Sequence, residues 1–252
     1  EILSGLVGSE MCIRDRLYGY GSYGISIPPS FSASRLSLID RGMVYAIAHI
    51  RGGMDKGKKW YQDGKKKKKI NTFEDFICSA LYLKKERISG EISIHGGSAG
   101  GLLVGATLNI RPDIFKAAVA EVPFVDVLNT ILDDTLPLTP PEWEEWGNPI
   151  KNIEDFQYIS SYSPYDNIKE QDYPTLLVTS GLTDPRVTYW EATKWVAKLR
   201  DKKTDTNPLF LKTYTEAGHG GMAGRYNQIK EVAFTYAFIL WSHNLLKRPI
   251  SS

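Results

Sequence analysis

The chain has 252 residues, 42% of them hydrophobic and 24% charged, with a formal net charge of +2. This is ordinary globular composition, long enough to bury one large core or two small ones. The near-neutral balance predicts no polyanion partner and so no nucleic acid, and no run of about 18 apolar residues offers a membrane span.

Two cysteines, Cys12 and Cys78, have no metal-ligand spacing. That usage suits a reducing compartment. With no secretory signal in view, the expectation is a cytoplasmic protein that needs neither metal nor organic cofactor.

Residues 1–16 show no clear hydrophobic period. Cys12-Ile13-Arg14-Asp15-Arg16 puts charges just ahead of a motif-rich stretch, so 1–16 reads as an unassigned segment, a ragged terminus or a foreign tail. Leu17-Tyr18-Gly19-Tyr20-Gly21-Ser22-Tyr23-Gly24 then alternates glycine with tyrosine, which lets the backbone turn sharply while the phenols stay available. Leu36 to Asp40 reads as a helix closed by Arg41-Gly42. Met43 to Ala48 is a continuous apolar run, the pattern of a central parallel strand. His49-Ile50-Arg51-Gly52-Gly53 leaves its C-terminal end, the edge of an α/β sheet where ligands bind. Lys65 to Lys69 is a charge run, expected to be a solvated loop. Asn71 with Glu74 fits a capping box, ahead of a helix that buries Phe73, Phe76, Ile77, Ala80 and Leu81 on one face.

Glu91 to Ile94 reads as a strand and Leu102 to Asn109 as a helix. Between them lies His95-Gly96-Gly97-Ser98-Ala99-Gly100-Gly101, which fits the Gly-x-Ser-x-Gly pattern of a nucleophile elbow. A serine on a strained strand-to-helix turn needs neighbours without bulk, because two backbones pass close together. The turn lifts the hydroxyl out of the sheet and aims the next N–H at the same point. Ala117 to Ala120 is a short buried strand, and Leu136 to Pro149 an irregular insertion. Thr175 to Thr179 is a strand followed by the loop 181–187. Tyr189 to Leu199 is an amphipathic helix, and Leu209 to Thr213 a strand followed by the loop 216–221. A final helix, Tyr226 to Leu246, is apolar on most sides and should pack deep. No repeat or interdomain linker is visible. Strands alternating with helices predict one α/β unit, a mostly parallel sheet with helices on both faces.

Ser98, Asp184 and His219 leave predicted strand ends in the chain order of the α/β-hydrolase triad. A serine hydroxyl is a poor nucleophile at neutral pH and needs a base within reach. An imidazole can take and return a proton near pH 7, and a carboxylate can hold its tautomer. Of the four histidines, His243 lies in the terminal helix, His49 comes too early for triad order, and His95 sits on a strand, there to pack or hydrogen-bond. Asp166 and Asp172 rival Asp184, which alone directly follows a strong strand. The Ala99 N–H is one oxyanion donor, and a phenol of the early loop such as Tyr20 could be the second.

From Leu17 to about Leu246 the chain resembles the catalytic domain of the prolyl oligopeptidase family of serine peptidases, and within it the oligopeptidase B branch. The resemblance rests on Tyr18-Gly19-Tyr20-Gly21-Ser22-Tyr23-Gly24, Ala46-Ile47-Ala48-His49-Ile50-Arg51-Gly52-Gly53, Gly96-Gly97-Ser98-Ala99-Gly100-Gly101, Glu144-Glu145-Trp146-Gly147-Asn148-Pro149 and Gly218-His219-Gly220-Gly221. It implies an α/β-hydrolase fold over 17–252, cutting short peptides after lysine or arginine with Ser98, Asp184 and His219 as triad. It also implies Tyr20 and the Ala99 N–H as oxyanion hole, Glu142 and Glu144 as receivers of a basic P1 side chain, and Arg186 as a contact to the substrate backbone. The oligopeptidase B branch carries acidic residues where this chain has Pro28 and Ser30, so no preference at P2 carries over. Family members also have a β-propeller and earlier hydrolase strands ahead of the position of Leu17. The expectation is therefore a C-terminal piece lacking its first strands. A prolyl-specific peptidase, a carboxylesterase on the same fold and an inactive fragment stay open as alternatives.

Overall fold

The structure, a computed structural model, describes residues 14–246. Six parallel strands form its sheet: β1 (Arg14–Tyr18), β2 (Met43–Ile47), β3 (Glu91–Gly97), β4 (Ala117–Glu121), β5 (Thr175–Gly181) and β6 (Leu209–Tyr214). Their order is β2-β1-β3-β4-β5-β6. The strands are apolar because both faces are covered. In β4, Ala117 and Val119 face one layer with Leu38 and Ile239, while Ala118 and Ala120 face the other with Leu102 and Trp195.

Helices α1 (Ala33–Ile39), α2 (Lys58–Gln62), α3 (Ile70–Lys85) and α4 (Ala99–Ile110) precede β4. Then come α5 (Val127–Leu132), α6 (Thr139–Trp146), α7 (Ile153–Tyr162), α8 (Tyr189–Lys202) and α9 (Arg225–Ser242). Residues of α1 and α9 cover one face of the sheet, and α3, α4, α7 and α8 pack over the other.

Several expectations are corrected. Residues 14–16, read as part of an unassigned terminus, belong to β1 and pair on both sides, with Arg14 opposite Met43 and Glu91; residues 1–13, Cys12 among them, lie outside the described residues. Arg16 can sit in this strand because its side chain finds partners. The Arg16 Nε donates to His95 Nδ1 at 2.9 Å, and its guanidinium sits 4.6 Å from the Tyr45 ring centre. Asp15 is fully buried, and burial pushes its carboxyl up to about 7. β2, expected to be central, stands at an end of the described sheet with Val44 exposed.

The stretch Leu136 to Pro149 is not irregular but carries α6. Pro140 and Pro141 sit in its first turn, where helix N–H groups have no intrahelical acceptor anyway, and Gly147 ends it at φ +107°. Asn71 does not cap α3, which already begins at Ile70. The Tyr158 phenol accepts the Ile70 N–H at 3.1 Å, and Asn71 instead donates to the Asp63 carbonyl. Leu81 is exposed, whereas Phe73, Phe76, Ile77 and Ala80 are buried. Of the lysine run, Lys66, Lys67 and Lys68 make surface ion pairs, but Lys69 is 1% exposed. In α9 the buried residues run from Thr235 to Leu240, with Tyr226 and Ile229 open to solvent.

Candidate active site

Loops at the C-terminal ends of β3, β5 and β6 converge on one cavity of about 500 Å³. Ser98 directly follows β3 and caps α4, with φ +56° and ψ −120°. L residues avoid that region, and a strained residue of this kind persists only where its surroundings fix it. Here the Ser98 N–H donates to the Glu121 carbonyl at 2.8 Å, and the Ser98 carbonyl accepts from the Phe124 N–H at 3.1 Å. A Cβ on Gly96 would overlap the Gly100 carbonyl, and one on Gly101 would overlap Pro123. Both positions therefore need glycine.

Asp184 sits in the loop after β5. Its Oδ1 accepts the N–H groups of Arg186 at 2.8 Å and Val187 at 3.0 Å, and its Oδ2 accepts from His219 Nδ1 at 2.7 Å. Burial alone would raise this carboxyl, but those three donors outweigh it and hold it below its ordinary range. With Nδ1 donating to the carboxylate, Nε2 presents its lone pair. It lies 3.0 Å from Ser98 Oγ, whose hydroxyl donates to it. The loops bearing Asp184 and His219 are tied to each other: Thr183 Oγ1 donates to the Ala217 carbonyl at 2.9 Å.

Tyr20, Ala99, Glu142 and Arg186 line the same cavity. As the first residue of α4, Ala99 has an N–H with no intrahelical acceptor. Burial, with Tyr18, Glu142 and Glu145 adding to it, pushes the Tyr20 phenol up to about 12, so it keeps its proton at neutral pH and can donate. Glu142 is half-buried; its Oε2 accepts the Tyr23 phenol and the Trp146 indole N–H, each at 2.7 Å.

The structure thus brings seven of the eight predicted site residues to one place, and Glu144 is the exception. Its side chain is 86% exposed and pairs with Lys66 at 3.3 Å. On a helix, residues two apart do not share a face; Glu142 and Glu145 do. Sequence reasoning missed Glu145, which is 3% exposed, and Glu191, a fully buried carboxylate that also borders the cavity. Glu191 accepts the N–H groups of Val125 and Asp126 and the Thr130 hydroxyl, fixing the cavity wall. Reading α6 as a helix would have pointed to Glu145. Nothing local marks Glu191. Among the described residues no cluster of three or more His, Cys, Asp or Glu could hold a metal ion, and no helix is long and apolar enough to cross a membrane.

The comparisons with known proteins agree with one another. The family model for the prolyl oligopeptidase family matches residues 29–245. "Protease 2" of Moraxella lacunata is 52% identical over 226 residues, covering 89% of this chain and 33% of that protein. "Dipeptidyl aminopeptidase BI" of Pseudoxanthomonas mexicana is 51% identical over 225 residues, covering 88% of this chain and 31% of that protein. Among solved structures, oligopeptidase B from Trypanosoma brucei with covalently bound antipain superimposes with a TM-score of 0.92 at 48% identity, over 98% of this chain and 35% of that one. The chain therefore spans about a third of the length of the relatives it matches.

Proposed function

The chain belongs to the prolyl oligopeptidase family of serine peptidases, and from that premise we propose that it carries the catalytic machinery of an oligopeptidase that cuts short peptides after lysine or arginine. Ser98 is the nucleophile, His219 the base and Asp184 the group that orients and stabilises the imidazolium. Ser98 Oγ bonds to the scissile carbonyl carbon as its proton passes to His219 Nε2. The Ala99 N–H and the Tyr20 hydroxyl donate to the oxyanion, where preorganised donors count most. When the tetrahedral intermediate collapses, the C–N bond breaks and the Nε2 proton goes to the leaving amine. Water, deprotonated by the same nitrogen, then attacks the acyl-enzyme ester, and Ser98 regains its proton.

The basic P1 preference rests on one observation, the half-buried Glu142 carboxylate in the cavity that also holds Ser98. Tyr23 and Trp146 occupy its Oε2, leaving Oε1 for a guest cation. A carboxylate withdrawn from water favours a cation and penalises a neutral side chain. Arg186, exposed at the rim, is suited to bind the substrate's backbone carbonyls. Glu144, turned away toward Lys66, takes no part.

The test compares this chain with its Ser98→Ala variant. A fluorophosphonate should label the first at Ser98 and leave the second unlabelled, and an arginyl amide should be cleaved faster than its neutral citrullyl isostere. Equal cleavage of the two amides would defeat the basic preference; equal turnover by the Ser98→Ala chain would defeat the peptidase reading.

A further inference from the structure

Lys69 is a cation in the interior, 1% exposed, at the entrance to α3. Its Nζ donates to the Gly21 carbonyl at 2.6 Å and to the Ser22 hydroxyl at 2.7 Å. It stands 4.8 Å from the centre of the Trp146 ring and 4.0 Å from Glu145 Oε1. Glu145 is buried too. Its Oε1 accepts the Tyr23 N–H at 3.0 Å, and its Oε2 accepts the Tyr61 hydroxyl at 2.7 Å. Three successive residues, Gly21, Ser22 and Tyr23, are thus held by one buried ion pair, and Tyr20 is the residue just before them.

The other side of that turn is also fixed. Gly21 has φ +70°, and a Cβ on Gly100, in the first turn of α4, would come within 2.8 Å of the Gly19 carbonyl and 3.3 Å of Tyr20 Cδ2. Tyr20 is therefore caught between the helix that follows Ser98 and a turn pinned by charge. Burying an ammonium is costly, and an apolar side chain of similar volume would often serve stability as well or better. A lysine here is explained by what it holds.

We propose that Lys69, with Glu145 as its counter-charge, is a positioning residue that sets the Tyr20 phenol against the developing oxyanion. Neither residue touches substrate. The lock joins the turn bearing the oxyanion donor to α6 through Glu145, while Glu142 is held separately, within α6, by the Trp146 indole. This rests on the reading of Tyr20 as an oxyanion donor. A misplacement of a fraction of an ångström matters there, because the donor acts only where the charge develops.

A double-mutant cycle on the full chain tests it, reading kcat and KM for an arginyl amide and the rate of fluorophosphonate labelling at Ser98. Tyr20→Phe should lower kcat by about 10²-fold, the usual cost of one oxyanion donor. Lys69→Met should lower kcat and the labelling rate by about tenfold or more, with KM within about twofold, because a donor that acts only in the transition state leaves ground-state binding alone. On the Tyr20→Phe background Lys69→Met should change the rate by less than about twofold, since residues acting through one group are not additive. The same loss on both backgrounds, or none on either, would overturn the proposal. Should Lys69→Met lose its cooperative thermal transition, the isosteric Glu145→Gln runs the same cycle, with additive losses again the overturning result. A Tyr20→Phe chain as fast as wild type would instead remove the oxyanion reading, and the lock with it.

Discussion

Glu142 and Trp146 stand one turn apart on α6, and the indole N–H of Trp146 donates to the same carboxylate oxygen that takes the Tyr23 phenol. A carboxylate in a cavity would otherwise swing with its rotamers. Here two neutral donors hold one oxygen and aim the other. On the proposed basic preference, a carboxylate fixed in this way would lower the ordering cost of binding a cation.

Replacing Glu142 with Gln should therefore act on selectivity. The kcat/KM for an arginyl amide should fall by about 10²-fold or more, as when one partner of a desolvated charge pair is removed, while that for a citrullyl amide should stay within about threefold. Glu144→Gln should leave both rates within about twofold, since its pair with Lys66 is solvent-exposed and such pairs contribute little. Steady-state kinetics on the two amides separates the variants.

Asp184 carries a different burden. Its carboxylate fixes the proton on Nδ1 and so frees Nε2 for Ser98. Asp184→Asn should cost about 10⁴-fold in kcat, the scale seen when a triad carboxylate is neutralised. KM should change little. A loss below about tenfold in kcat, from kinetics on the folded variant, would show that His219 is oriented by other means.

The backbone at Ser98 offers a stability measurement. A side chain at φ +56° is strained, at a cost on the order of 1 kcal/mol that glycine does not bear. Ser98→Gly should melt above Ser98→Ala, and neither should react with a fluorophosphonate. Calorimetry of the two inactive chains isolates the strain from the chemistry. An alanine chain as stable as the glycine chain would mean that the turn stores none.

Glu191 gives a pH dependence. Burial pushes its carboxyl up from an ordinary 4.5 to about 7, despite the two N–H groups and the hydroxyl it accepts. Between these values the folded chain keeps a proton that the unfolded chain has released. Its contribution to stability is thus greatest below the lower value and declines as pH rises through the upper one, by on the order of 3 kcal/mol. Urea unfolding at about pH 5 and about pH 8 should show that decline, and Glu191→Gln should lose this part of it. Asp15 titrates in the same window, so the informative quantity is the difference between the two proteins.

Much of the site was legible in the sequence because its parts have local signatures. A glycine-flanked serine after a strand, an aspartate after the next long strand and a histidine in a glycine loop each announce their backbone, and triad order assembled them. Where reading failed, the missing information was tertiary. Arg14-Asp15-Arg16 looks unlike a strand until Tyr45 and His95 are there to receive Arg16. The lysine run looks solvated, and four of its five members reach the surface at least in part, but Lys69 is consumed by Gly21 and Ser22, some 47 positions away. The misreading of α6 had a local remedy. Its two prolines read as an irregular insertion although they suit the first turn of a helix, whereas Glu144 is set beside Glu142 by the family resemblance and not by any reading of the helix. For α7 the signal was present and unused: the Asn152 side chain accepts the Glu154 N–H at 2.8 Å, as an N-cap should.

The place of β1 between β2 and β3 has a bearing on how the molecule is made. Emerging from the ribosome, its five residues meet β2 early, but their second row of partners is not synthesised until residues 91–97 follow. During that interval a half-satisfied strand is exposed to any other unpaired edge, the condition in which nascent chains associate wrongly. Dilution or a holdase should therefore raise soluble yield most when applied during synthesis rather than after it.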